Sequence, residues 1–67
     1  MRPGDYTNSR VSALIDEYIH NQRDREILRD NLVDGLTYDE LASKYRLSYD
    51  GVKKIIRKGK MTIFSHY

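Results

Sequence analysis

Between Ser48 and Lys58 the chain reads Ser-Tyr-Asp-Gly-Val-Lys-Lys-Ile-Ile-Arg-Lys, placing four cations and one carboxylate at short spacing around apolar residues. Wound as a helix at about 100° per residue with Val52 turned inward, this stretch projects Asp50, Lys53, Lys54 and Arg57 away from the core. The chemistry open to such a row is hydrogen bonding to anions and to base edges. Arg57 with Lys53 or Lys54 can pair with guanine O6 and N7, Asp50 can accept from the amino group of cytosine, and Tyr49 can bond a phosphate or pack on a thymine methyl. Gly51 removes bulk where such a helix would come nearest its target. Any one lysine taken alone reads equally well as a solvated side chain.

No other constellation points to chemistry. His20 and His66 are the only histidines and the chain has no cysteine. No metal or cofactor site is therefore expected, and each histidine suits a helix end, where a cation favours the dipole. The acidic pairs Asp16-Glu17 and Asp39-Glu40 fit helix surface and capping, with no nucleophile or base beside them. At 67 residues the chain can build one domain at most, burying only about 60% of its unfolded surface. That leaves little room for an enclosed catalytic pocket, and the reading is non-enzymatic.

Charge is distributed unevenly. Residues 1–43 hold five arginines against nine aspartates and glutamates, whereas residues 44–67 hold seven lysines and arginines against Asp50 alone. The basic C-terminal third points to an anionic partner, nucleic acid or a charged surface. No apolar run approaches a membrane span, and the first residues lack the apolar region of a signal peptide. The absence of cysteine suits a reducing compartment. A cytoplasmic location is the expectation.

Four helices must position these residues. Residues 1–8 hold the only proline and read as a loose arm. Val11, Leu14, Ile15, Tyr18 and Ile19 share one face of a first helix, capped by Asn8 or Ser9 and ending near His20. Asn21 with Asp24 opens a second, which carries Ile27, Leu28, Leu32 and Val33 inward and stops at Gly35. Thr37-Tyr38-Asp39-Glu40 spells a capping box for a third, with Leu41, Ala42 and Tyr45 as its apolar face. Ser48 caps the fourth, and Val52, Ile55, Ile56 and Ile63 line one side of it. Gly59 falls among them. Either the helix ends there or the glycine admits another helix; the register resuming at Ile63 favours one helix running to about Ser65. The only strand-like segment is residues 61–64, so the fold class is all-α.

The third and fourth helices are separated by little more than Arg46 and Leu47, so they meet at a large angle with small Ala42 where they cross. In TYDELASKYRLSYDGVKKI, residues 37–55, the positions Leu41, Ala42, Tyr45, Leu47, Val52 and Ile55 match in order and spacing those of the helix-turn-helix DNA-binding motif. The longer run RDREILRDNLVDGLTYDELASKYRLSYDGVKKIIRKGKMTIF resembles the fourth domain of bacterial sigma factors, and small sigma-like regulators of phages and prophages. The likeness spans residues 11–65. It departs from the family at Arg46, where the turn usually holds glycine: a left-handed backbone there costs arginine a steric penalty, or the turn differs. Nothing corresponds to the domain with which sigma factors recognise and melt the promoter's upstream-to-start region, so a complete sigma factor is not expected.

The resemblance implies a four-helix domain over residues 9–67 that binds double-stranded DNA in sequence-specific fashion as a transcriptional regulator. Its recognition helix, residues 48–65, would enter the major groove with base contacts from Tyr49, Asp50, Lys53, Lys54 and Arg57. Thr37, Tyr38, Lys44, Arg46, Ser48 and Lys58 are the candidates for phosphate contacts that set register without reading sequence. By its spacing Tyr45 belongs to the core. Beyond Gly59, Met61 and Phe64 lie opposite Val52 and Ile63. Either the first helix folds over this end, or Met61, Phe64 and Tyr67 meet a partner, a second copy or RNA polymerase, which sigma fourth domains also contact. A module with that protein contact and little DNA affinity is the rival expectation.

Overall fold

Nine apolar side chains at helical spacing close into one core, three from the first helix, two from the second, one from the third and three from the fourth. The computed structural model describes residues 8–67 as α1 (Asn8–Tyr18), α2 (Gln22–Leu32), α3 (Tyr38–Tyr45) and α4 (Tyr49–Ser65). No strand occurs among these residues, and residues 61–64 lie inside α4. The arm expected over residues 1–8 falls outside the described residues except for Asn8, which already belongs to α1. None of the described helices is long and apolar enough to cross a membrane.

The local signals act as their chemistry requires. Asn21 accepts the Asp24 amide at 3.1 Å and so starts α2. α1 ends two residues before His20, because Asn21 is committed to that cap and the Ile19 carbonyl accepts from Arg25 Nε. α2 stops at Leu32, ahead of Gly35, whose φ of 78° sits in the loop beyond the C-cap Val33. The capping box of α3 is complete: Thr37 Oγ1 accepts the Glu40 amide at 3.2 Å, and Glu40 Oε1 accepts the Thr37 amide at 2.9 Å. The Thr37 amide, with help from the Thr37 side chain, holds the Glu40 carboxyl below its ordinary value.

α4 is the hub and packs against each of the other three helices. It runs unbroken through Gly59, which is buried, and a Cβ built there would stand 2.9 Å from Leu28 Cγ and nearer still to both Leu28 methyls. That proximity explains the glycine: α2 lies so close that no side chain fits, and the helix accepts about 1 kcal/mol of lost propensity in exchange for contact with Leu28. α1 folds over the far end of α4, stacking Tyr18 on His66 with ring centroids 3.8 Å apart and setting Arg10 over the Tyr67 ring. Of the three apolar residues left over there, Tyr67 therefore packs against the core, while Met61 is 75% and Phe64 37% exposed.

Candidate nucleic-acid interface

The corner between α3 and α4 is the three residues Arg46, Leu47 and Ser48. Arg46 has φ 55° and ψ 45°, so the turn keeps the left-handed backbone and the arginine bears its strain, about 1–2 kcal/mol for a residue with a Cβ. Leu47 donates to the Ala42 carbonyl at 2.9 Å and turns half inward, fixing the direction in which α4 departs. Ser48 then accepts the Gly51 amide at 3.0 Å. A Cβ on Gly51 would approach the Ser48 hydroxyl to 3.1 Å, so this glycine also leaves room for the cap.

Behind the corner, α2 grips the last turn of α3. Asp30 Oδ2 accepts from Lys44 Nζ at 2.8 Å and from the Tyr45 hydroxyl at 2.6 Å, with the Asp30 side chain only 14% exposed. Burial pushes the Asp30 carboxyl upward, but the two hydrogen bonds and the lysine charge outweigh it, and the group lies below its ordinary value. Lys44 is correspondingly raised by its bond to Asp30, and Tyr45 by burial and by the same carboxylate. Lys44 thus ties α3 to α2, and with its side chain 53% exposed and three N–H donors the ammonium can also turn to a phosphate. No sequence signal joined Asp30 to residues fourteen and fifteen positions on; the pairing exists only because α2 and α3 pack.

The remaining site residues sort by position around α4. Tyr49, 48% exposed, meets the Tyr38 ring edge-on at 5.7 Å, so the starts of α3 and α4, with Thr37 and Ser48, lie together. Asp50, Lys53, Lys54, Arg57 and Lys58 are all exposed on the outer side of α4. Among the described residues none of these four cations is in an ion pair, whereas Arg23, Arg29 and Lys44 pair with Asp24, Asp16 and Asp30. Lys53 and Arg57 are one turn apart on a single line, and Lys54 and Lys58 form a second line about 100° around the helix. This second line borders a groove of about 420 Å³ whose opposite bank is the connection between α1 and α2, with His20, Asn21 and Asp24. The spacing of α4 revealed both lines of cations, but nothing in the sequence placed the α1–α2 connection beside them.

The arrangement is an exposed helix face with four cations and one carboxylate, none of them in an ion pair among the described residues, suited to polyanions and to base edges. No three His, Cys, Asp or Glu side chains among the described residues stand close enough to hold a metal ion. Compared with protein-family models, with curated proteins and with solved structures, the chain matches none.

Proposed function

We propose that this protein is a non-enzymatic, sequence-specific double-stranded DNA-binding protein that acts in the cytoplasm as a small transcriptional regulator. In this reading α3 and α4 form a helix-turn-helix, and α4 enters the major groove by its N-terminal half. Tyr49, Asp50, Lys53, Lys54 and Arg57 face the bases, while Thr37, Tyr38, Arg46, Ser48 and Lys58 meet phosphates. The observation that carries it is the set of exposed cations on α4 that form no ion pair among the described residues, on a helix that packs against each of the other three. Lys44 and Arg29 are matched to carboxylates and Arg25 to the Ile19 carbonyl, whereas the row on α4 has no such partner among the described residues and suits an anion from outside. The likeness of residues 11–65 to sigma fourth domains and to phage regulators adds to the reading.

The test is fluorescence anisotropy with random-sequence duplex over a salt series. Wild type is expected to bind at low salt and weaken steeply as salt rises. Lys53→Ala with Arg57→Ala is expected to bind at least about tenfold more weakly, the equivalent of one lost base contact. A wild type that does not bind, or a double variant that binds equally well, ends the proposal.

Met61 and Phe64 support a second reading, a protein contact to RNA polymerase or a second copy, since their exposure extends an apolar patch beyond the basic half of α4. Light scattering separates the two kinds of partner. A dimer that Phe64→Ala dissolves identifies a second copy, while a strict monomer unchanged by the substitution removes the dimer.

A further inference from the structure

Going around the first ten residues of α4 from its contact with α3, the exposed side chains follow one another as Tyr49, Lys53, Arg57, Asp50, Lys54 and Lys58, at about 100° per residue. Tyr49 leans on Tyr38 at the start of α3. Lys54 and Lys58 border the groove whose other bank is the α1–α2 connection. The line of Lys53 and Arg57 therefore runs between two shoulders of protein. One is the start of α3, already a candidate for phosphate contact. The other, the connection between α1 and α2, has no assigned role.

A helix lying in a major groove about 12 Å wide has a phosphate backbone on each side of it. If α3 meets one backbone, the opposite shoulder must meet the other. The chemistry there suits it. His20, Asn21, Gln22 and Arg23 are four consecutive exposed residues without a carboxylate, and the first two face Lys54 and Lys58 across the groove. Asp24 lies deeper, with Oδ1 buried and without a hydrogen bond, and Arg23 Nε is 3.7 Å from it. That negative charge keeps a phosphate at the rim, between the ammonium groups and the connection.

Resting on the DNA-binding reading, we propose that the α1–α2 connection is a second DNA-contact surface, on which one strand's backbone is held between His20 to Arg23 and the lysines Lys54 and Lys58. Lys54 then serves phosphate, and base reading falls to Lys53 and Arg57 with Tyr49 and Asp50.

Affinity over a salt series and base preference, selected from a randomised duplex pool, test this with the full chain. Lys54→Gln with Lys58→Gln should make the dependence of log K on log salt shallower by about 2 and weaken binding about 60-fold at ~0.1 M salt, equally for all sequences. His20→Glu with Gln22→Glu should weaken binding about tenfold through repulsion of phosphate. His20→Arg, a gain that no damage to the fold can imitate, should steepen the slope by about 1 and tighten binding about eightfold. The inference is overturned if the lysine pair alters the selected sequence, or if both His20 variants bind as wild type does. Should wild type bind and Arg57→Ala relax base preference while the connection variants change nothing, this surface falls and the DNA-binding reading stands. A wild type without affinity for duplex overturns both.

Discussion

Gly59→Ala separates packing from helix propensity at the centre of the molecule. In an exposed helix interior this substitution stabilises by about 1 kcal/mol. Here the added methyl would sit 2.9 Å from Leu28 Cγ and closer to the two methyls, against a favourable carbon–carbon separation of about 3.5–4.0 Å. Leu28 is wholly buried and cannot swing into solvent, so α2 must shift or the leucine must leave its rotamer. Overpacking of this kind costs about 1–3 kcal/mol, which outweighs the propensity gain and leaves a net loss of about 1 kcal/mol. In a chain of this length that lowers Tm by about 7 °C. Leu28→Ala alone should cost about 2–5 kcal/mol. On that background the alanine at position 59 enters vacated space and becomes stabilising by about 1 kcal/mol, so the cycle shows a coupling of about 2 kcal/mol. Urea denaturation followed by circular dichroism measures all four corners. If Gly59→Ala stabilises wild type by its full propensity, or the cycle is additive, the close approach of α2 and α4 is not what the glycine is for.

Arg46→Gly should relieve the left-handed strain and raise stability by up to about 1 kcal/mol after the greater freedom of glycine in the unfolded chain is deducted. The same urea experiment checks it, and a loss of stability would show that the arginine side chain holds the corner by contacts that outweigh its backbone. Stability should also fall on acidification. Asp30 and Glu40 both titrate below their ordinary values of 3.8 and 4.5, so their contribution is complete above those values and disappears as pH falls through the lower folded-state ones. A thermal melting series below about pH 4.5 should therefore be flatter for Asp30→Asn and for Glu40→Gln than for wild type; parallel curves would refute the linkage. At neutral pH Asp30→Asn should itself cost about 1.5 kcal/mol, the scale of a hydrogen bond to a charged group.

Much of this protein can be read from local chemistry. Thr37 with Glu40, Asn21 with Asp24, and Ser48 with the amide of Gly51 are caps made within three residues, so the sequence alone sets where three helices begin. The apolar positions at 3.6-residue spacing likewise identify the core, and every fully buried side chain is one that this spacing turns inward. The line of Lys53 and Arg57 follows from the same periodicity. Helix ends were less legible. α1 stops short of His20 and α2 short of Gly35, because their last carbonyls compete for partners that the following segment supplies.

What only the tertiary structure decided are relations between segments distant in the chain. The sequence left two possibilities at Gly59, and Leu28 of another helix selects one of them. It left two at Arg46 as well, and the packing of Leu47 and Tyr45 behind the corner accompanies the strained one. The pairing of Lys44 with Asp30 likewise spans fourteen residues and exists only because α2 packs on α3. Tyr67 turned inward because α1 brings Arg10 over its ring, while Met61 and Phe64 on the same turns stayed outside. Capping and periodicity are properties of neighbours, which any seven-residue window contains. Close approach, charge pairing and the flank on which a lysine stands depend on which helix packs beside which, and that is settled only when the whole core closes.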